Sequence, residues 1–427
     1  MKIDQESILS NYAKAVAVGA YDCRHSYQFG KQDYVRRNWE DKYTRRILSP
    51  FIQELYEHKK NSNQGIRVMD LGCGAGEGLN ILTTLPLTTL PQTSTTLDII
   101  SNKVLDYPSI ASYKGVDISP AMIAKAKALY NKRSQAEFIV ADLNDGLPVT
   151  SQEAPYDIYI SSYGSLSHLN DASLTNLIEG ICHHMGERAI FVADLLGKYS
   201  YEWPCYWGYS GSDRARMHNY SMSYIYPPHT RASAQVEVFP IRYWGGEELE
   251  KLISKISEDN SVKVQRYALC DRSILVGRHM DTQEYNSKAP SLRAAINSLY
   301  EPNFHTDLNQ LIFKYEPHSQ YPHLNRFFQN LQTAWNSIVY GCMEALSEWR
   351  DIEKLQAEPR IQNPPLVLNS NRIIRRLVHQ AQFLQFDDPR ANLVEPQLAY
   401  LLRDLEWNLQ QGLGAAHGLV AIYEFCK

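Results

Sequence analysis

The sequence predicts an α/β protein whose main domain is a mostly parallel sheet of seven strands with helices on both faces. Three observations lead to this fold class. Between residues 61 and 282, short apolar segments alternate with helical ones, as in strands joined by crossover helices. Four glycines occupy positions within 72–78, between an apolar strand and an apolar helix. After residue 280 the alternation stops, and apolar residues recur at helical spacing.

The predicted strands are short runs rich in apolar and β-branched residues. In chain order they are IRVMDLG, SYKGVDI, AEFIVADL, YDIYISS and RAIFVADLLG, and the pair VKVQRYAL and SILVGRH completes the sheet. Residues 283–427 predict a separate helical domain, because apolar stripes run through LNRFFQNLQTAWNSIVYGCMEAL and PQLAYLLRDLEWNLQQGL. These stripes are most simply core, although one could form a homodimer interface.

The glycine loop, MDLGCGAGEG at 69–78, does not have the spacing of a dinucleotide-binding loop. That fingerprint needs glycine at the sixth place, but counting from Gly72 gives Glu77 and counting from Gly74 gives Leu79. Asp70 and Glu77 flank the turn and would repel a pyrophosphate. The loop therefore suits a ligand that carries positive charge.

The first part of this loop, VMDLGCGAG (68–76), resembles the first motif of the class I S-adenosylmethionine-dependent methyltransferases. Three later segments resemble the family in the same order: YKGVDISPAMIAKAKA (113–128), AEFIVADLNDGLP (136–148) and YDIYISSYGSLSHL (156–169). The resemblance covers residues 40–280 approximately. It implies a Rossmann-like sheet and S-adenosyl-L-methionine as the cofactor.

The resemblance also implies a role for each part of the cofactor site. The Asp117 carboxylate would accept both ribose hydroxyls, although an acid before a helix also suits a helix cap. Asp142, with the neighbouring amide, would bind the adenine edge, although it could belong to a plain turn. The acid and glycines of the loop would hold the methionine portion. The residues assigned to the cofactor are Asp70, Gly72, Gly74, Gly76, Asp117, Ile118, Met122, Asp142, Leu143 and Ser162.

The loop SSYGSLSH (161–168) occupies the place where this family meets its acceptor. It lacks the N-P-P-Y or D-P-P-Y sequence of many enzymes that methylate amino groups of nucleic acid and protein, which argues against a base-modifying enzyme. Methyl transfer needs an aligned acceptor lone pair and a destination for the acceptor's proton. Tyr163 and His168 are the catalytic candidates, and His168 is either a base or a structural residue.

Three further segments could shape the site. Residues 1–60 predict a helical lid over the cofactor or an ordinary amphipathic helix. An insertion at 83–110 is either a flap near the cofactor or a surface addition without a role in the site. An aromatic insertion at 197–235 either forms a wall of the substrate pocket or packs against the helical domain. The candidate substrate-binding residues in these segments are Tyr199, Tyr201, Trp203, Tyr206 and Arg36. Arg36 could pair with a carboxylate of either the substrate or the cofactor.

The charge and residue composition argue against several classes of function. The net charge of −4 gives no overall basic field for nucleic acid or an anionic membrane. We expect a cytoplasmic protein, because the start has no apolar signal core and no stretch is apolar for the length of a membrane span. The 7 cysteines form no C-x-x-C and the 13 histidines form no cluster with ligand spacing, so we expect no metal site.

The sequence thus favours a methyltransferase acting on a small molecule, either an amino-acid-like compound or a secondary metabolite. An alternative with the same fold is an enzyme that cyclises or eliminates the cofactor itself and releases methylthioadenosine and a small-ring amino acid. A third is a cofactor-binding partner protein without catalysis. The by-product separates the first two, because methyl transfer yields S-adenosylhomocysteine.

Overall fold

The computed structural model describes residues 27–28, 31–88, 103–208, 216–226, 228–231, 236–349, 364–385 and 387–427. The first part of the predicted segment 1–60 (residues 1–26 and 29–30) and parts of the insertions 83–110 and 197–235 lie outside these residues. The strands are β1 (Tyr27–Gln28), β2 (Lys31–Gln32), β3 (Ile66–Leu71), β4 (Ile110–Asp117), β5 (Ala136–Val140), β6 (Ile158–Ser161), β7 (Arg188–Leu196), β8 (Met217–Ser221), β9 (Val238–Arg242), β10 (Lys263–Arg272) and β11 (Gly418–Cys426).

The α-helices of the described residues follow the same chain order. A wide helical turn at Arg36–Glu40 leads directly into the first of them. They are α1 (Asp41–Asn61), α2 (Glu77–Leu82), α3 (Pro120–Leu129), α4 (Asp171–His184), α5 (Pro228–Arg231), α6 (Gly246–Asp259), α7 (Leu292–Ser298), α8 (Pro322–Ser347), α9 (Pro365–Ala381) and α10 (Glu395–Leu409).

A seven-stranded sheet organises the chain, in the order β10-β11-β7-β6-β3-β4-β5. Strands β3 to β7 are parallel to one another where they pair, and β11 is antiparallel to both its neighbours. The chain runs from β3 outward to β5 and then crosses back to β6 on the other side of β3. Ligands of such sheets bind at the carboxyl ends of the strands beside this reversal, so the fold directs attention to the loops after β3 and β6.

The predicted sheet is confirmed, but the prediction that SILVGRH (273–279) is a strand is wrong. The amides of Ile274 and Leu275 donate to the Glu406 carboxylate at 3.1 and 2.7 Å instead of to a strand. The seventh strand is β11, GLVAIYEFC, whose nearly complete burial is typical of a strand inside a sheet. The predicted helical domain at 283–427 therefore ends before β11 and is inserted between β10 and β11.

The inserted helices have a core of their own that continues into the main domain. Trp335 lies at the centre of this core, and its indole N–H donates to the Leu311 carbonyl at 2.7 Å. Asp271, at the end of β10, accepts the amides of Leu413 and Gly414 at 2.8 Å and so fixes the return into β11. No helix of the described residues is long and apolar enough to cross a membrane.

Candidate active site

The glycine loop between β3 and α2 has left-handed backbone at three glycines. Gly72, Gly74 and Gly76 have φ of +72°, +52° and +91°. A Cβ atom would lie 2.5 Å from Ser165 at Gly72 and 2.5 Å from Tyr130 at Gly76. At Gly74 the nearest atom would be the Met122 methyl at 4.0 Å, so this part of the loop borders open space. The loop is thus a backbone cradle with one open edge.

Two carboxylates support the cradle, of which Asp117 is half-buried and Asp70 is fully buried. Asp117, at the end of β4, accepts the Gly74 amide at 2.9 Å and the Ser119 amide at 2.8 Å. Burial raises the pKa of Asp117, and these two N–H groups limit the rise. Asp70 is fully buried and accepts the Tyr113 hydroxyl; burial raises its pKa to about 7, with a further contribution from the Asp117 charge.

The Asp70 carboxylate is the part of this site that best fits a cationic ligand. By hydrogen-bond geometry its Oδ1 atom has no partner among the described residues, although the nearby Gly78 amide partly offsets the effect of burial on the Asp70 pKa. A buried carboxylate oxygen without a donor is costly unless a positive group approaches it. The open edge at Gly74 and the acids Asp70 and Asp117 therefore fit the cation-bearing cofactor that the sequence implies.

The other predicted cofactor residues lie on the same side of the sheet at varying depth. Ile118 is half-buried, while Met122 and Leu143 are buried. Asp142 caps a short turn after β5, where its Oδ1 accepts the Asn144 amide at 2.9 Å. Ser162 is buried at the end of β6. Their contacts with a cofactor stay predictions.

Tyr163 follows β6 and is held from several sides. Its φ of +55° is unusual for a side chain with a Cβ atom, and its amide donates to Asp194 Oδ2 at 2.9 Å. Its hydroxyl donates to Asp41 Oδ1 at 2.6 Å, and the Arg36 guanidinium lies 4.7 Å from the ring centroid. Burial raises the pKa of Tyr163, so the phenol is neutral at physiological pH.

A buried ion network stands behind Tyr163, and sequence analysis missed it. Arg272 Nη2 donates to both Asp194 oxygens at 2.9 and 2.7 Å, and Arg272 Nη1 lies 3.4 Å from Glu40 Oε2. Arg293 donates to Glu40 Oε1 at 2.7 Å. Burial alone would raise the pKa of Glu40, but the surrounding arginines hold it well below its usual range. The one local signal was Asp194, an acid inside the apolar run RAIFVADLL.

His168, the other catalytic candidate, lies in a short helical turn after Tyr163. Its ring packs edge-to-face on Phe239 with centroids 5.5 Å apart. Burial lowers the pKa of His168 to about 4, so the imidazole is neutral at physiological pH. A catalytic role for this side chain stays a prediction.

The aromatic insertion packs largely against other parts of the chain. Tyr201 contacts Phe313 and Tyr315 of the inserted helical region, with ring centroids 5.2 and 5.6 Å apart. Trp203 is fully buried, and its indole N–H donates to the Gly197 carbonyl at 2.8 Å. Tyr199 lies near Tyr321 and Trp207, and Tyr206 stacks on His218 at 4.3 Å. Of the two sequence-based alternatives, packing against the helical domain accounts for Tyr201, whereas Trp203 packs on Tyr243 of the main domain. Binding of substrate by this set stays a prediction.

One family model matches part of this domain. Residues 100–187 match the family model described as a methyltransferase domain. The match begins after the glycine loop, beyond most of the insertion at 83–110 that separates this loop from β4. A comparison with curated proteins gives no match.

Solved structures similar to this chain include several methyltransferases. One is an S-adenosylmethionine-dependent methyltransferase from Clostridium acetobutylicum ATCC 824 (12% identity, 52% of this chain and 83% of that chain, TM-score 0.32). Another is magnesium protoporphyrin IX methyltransferase from Synechocystis PCC 6803 with bound SAM (14% identity, covering 62% of this chain and 90% of that chain, TM-score 0.32). A third is the plantazolicin methyltransferase BamL in complex with a triazolic desmethylPZN analog and SAH (16% identity, covering 62% of this chain and 75% of that chain, TM-score 0.34).

The matched segment is a methyltransferase domain, and the sheet to which it belongs is Rossmann-like. The family match, the strand order and the glycine cradle support this assignment. The domain is that of an enzyme, and its cofactor is S-adenosyl-L-methionine.

Proposed function

We propose that this enzyme methylates a small molecule, an amino-acid-like compound or a secondary metabolite. The observation that carries the proposal is the cover over Tyr163, the residue that follows β6. Arg36 lies over its ring and Asp41 accepts its hydroxyl, so the segment before and at the start of α1 lies against the expected acceptor position. A site covered by its own chain in this way favours a small acceptor over a folded macromolecule.

When bound, the cofactor supplies a methyl group on a sulfonium centre for in-line transfer to the acceptor. The Gly72–Gly76 backbone, Asp70 and Asp117 would hold it. The Tyr163 hydroxyl donates to Asp41, which leaves the lone pairs of the phenol oxygen free to accept a hydrogen bond from an acceptor hydroxyl or amine. As the acceptor proton moves to the Tyr163 oxygen, the phenolic proton moves to Asp41, which is the proton destination.

The test is to incubate the purified chain with S-adenosylmethionine and to identify the products by mass spectrometry. Three samples are compared: cofactor alone, cofactor with the low-molecular-weight fraction of a cell extract, and cofactor with the macromolecular fraction. We expect S-adenosylhomocysteine only with the low-molecular-weight fraction. Its formation only with the macromolecular fraction would overturn the small-acceptor proposal, and methylthioadenosine from cofactor alone would indicate the cyclisation or elimination reaction.

A matched variant tests the role of Tyr163. Tyr163→Phe keeps the ring under Arg36 and removes the hydroxyl that Asp41 accepts. We expect S-adenosylhomocysteine formation to fall by about a hundredfold, the lower range for positioned proton transfer, without a change in cofactor affinity. Activity equal to that of the unmodified chain would remove Tyr163 from the proton path and leave the acceptor class as proposed.

A further inference from the structure

Arg36 connects the two halves of the candidate site. Its guanidinium carbon lies 4.7 Å from the centroid of the Tyr163 ring, which follows β6. Its Nη2 atom lies 3.6 Å from Oε1 of Glu77, the residue at which the glycine loop becomes α2. One side chain before α1 therefore reaches both the expected acceptor position and the edge of the cofactor cradle.

The hydrogen-bonding capacity of this guanidinium is largely unused within the described residues. The contact with Glu77 is an ion pair longer than a hydrogen bond, and the contact with Tyr163 uses the face of the ring. The Arg36 side chain is 30% exposed. A guanidinium can offer two parallel N–H donors to a carboxylate, and this is its strongest pairing.

The charges at the cradle create a need for such a donor. Asp70, Asp117 and Glu77 place three acids around the glycine loop. These acids suit the sulfonium and the ammonium of S-adenosylmethionine, but they repel the carboxylate on the same methionine portion. A cation at this edge would offset that repulsion and help to hold the complete amino-acid end of the cofactor.

We propose that Arg36 binds the carboxylate of the cofactor's methionine portion. The sequence left open whether Arg36 pairs with a carboxylate of the substrate or of the cofactor, and its position beside Glu77 favours the cofactor. Because Arg36 also covers Tyr163, the bound carboxylate would fix the segment that covers the acceptor. The inference concerns the cofactor alone and holds whatever the acceptor is.

The experiment compares two ligands by calorimetry in the absence of any acceptor. S-adenosylhomocysteine carries the amino-acid carboxylate, whereas methylthioadenosine has the same nucleoside and lacks that end. For Arg36→Met we expect the affinity for S-adenosylhomocysteine to fall by about tenfold to a hundredfold, the range for a charge-assisted hydrogen bond, and the affinity for methylthioadenosine to stay within about twofold. Arg36→Lys should recover part of the loss, because it keeps the charge without the planar pair of donors.

The matched control is Arg37→Met at the neighbouring exposed arginine, which should leave both affinities unchanged. Equal weakening of both ligands by Arg36→Met would overturn the proposal and indicate a structural role for the side chain. Unchanged affinity for S-adenosylhomocysteine would also overturn it. Because no methyl transfer is measured, failure of the small-acceptor proposal would leave either result valid.

Discussion

The cofactor side and the acceptor side of this site are built in different ways. The cofactor side consists of the loop after β3 and the end of β4, where three left-handed glycines and Asp117 lie close together in a hydrogen-bonded unit. The acceptor side is centred on Tyr163, which depends on Asp194 from β7, Arg272 from β10 and Asp41 from α1. The first is largely local backbone, and the second is assembled from side chains far apart in sequence.

This difference predicts opposite responses to mutation. Removing the Asp117 carboxylate on the cofactor side should alter ligand affinity, because this carboxylate holds the loop at its open edge, Gly74. Changes in the network behind Tyr163 should alter stability first, because the charges there are buried and neutralise one another. Removing one partner of a buried ion pair leaves the other charge uncompensated.

The largest expected effect is on the network. Arg272→Met removes the cation between Asp194 and Glu40, and we expect the free energy of unfolding to fall by about 3–5 kcal/mol. Denaturant titration measures this loss. The control is Lys251→Met, which removes an exposed ion pair with Glu247 and should change stability little. If the two variants were equally stable, the network would not support the acceptor side as described.

The next largest expected effect is on cofactor binding. Asp117→Ala should weaken the binding of S-adenosylmethionine by about 1.5–3 kcal/mol, because hydrogen bonds to a charged group are lost. Isothermal titration calorimetry measures the change, and Asp259→Ala, at an exposed helix end, is the control. Unchanged affinity for the Asp117 variant would mean that the end of β4 is not at the cofactor.

The same contrast explains what the sequence could predict. The glycine loop, Asp117 and the strands β3 to β7 were predictable because each depends on contiguous residues. The strand β11 was missed because more than a hundred residues of the inserted helical region separate it from β10. The apolar segment at 273–279, which directly follows β10, was predicted as the seventh strand in its stead. Glu40, Arg272 and their partners were missed because only the folded chain brings them together.

A backbone change tests whether the cradle needs its glycines. Gly76→Ala places a Cβ on a residue with φ of +91° and 2.5 Å from Tyr130, so we expect a loss of about 1–3 kcal/mol in stability. Gly186→Ala is the control, because its added Cβ would lie 3.8 Å from Pro155 and its φ is not positive. Thermal unfolding compares the two, and equal melting temperatures would contradict the left-handed loop.

The smallest effect is a pH dependence at Asp70. Burial raises the pKa of Asp70 to about 7, so protonated Asp70 stabilises the cofactor-free protein. This contribution to folding stability is fully present below the ordinary carboxyl pKa and is lost as the pH rises through about 7. Binding of a cationic cofactor has the opposite sign, because it favours the ionised carboxylate.

We therefore expect the increase in melting temperature caused by S-adenosylmethionine to grow between pH 6 and pH 8, with at most about a tenfold change in affinity per pH unit below the pKa. Asp70→Asn should remove this dependence, whereas Asp259→Asn should keep it. A pH-independent shift in the unmodified chain would mean that the Asp70 charge does not contact the cofactor's cations. A dependence that survives in Asp70→Asn would instead assign the titration to Asp117, the half-buried acid of the cradle, whose pKa is also raised by desolvation.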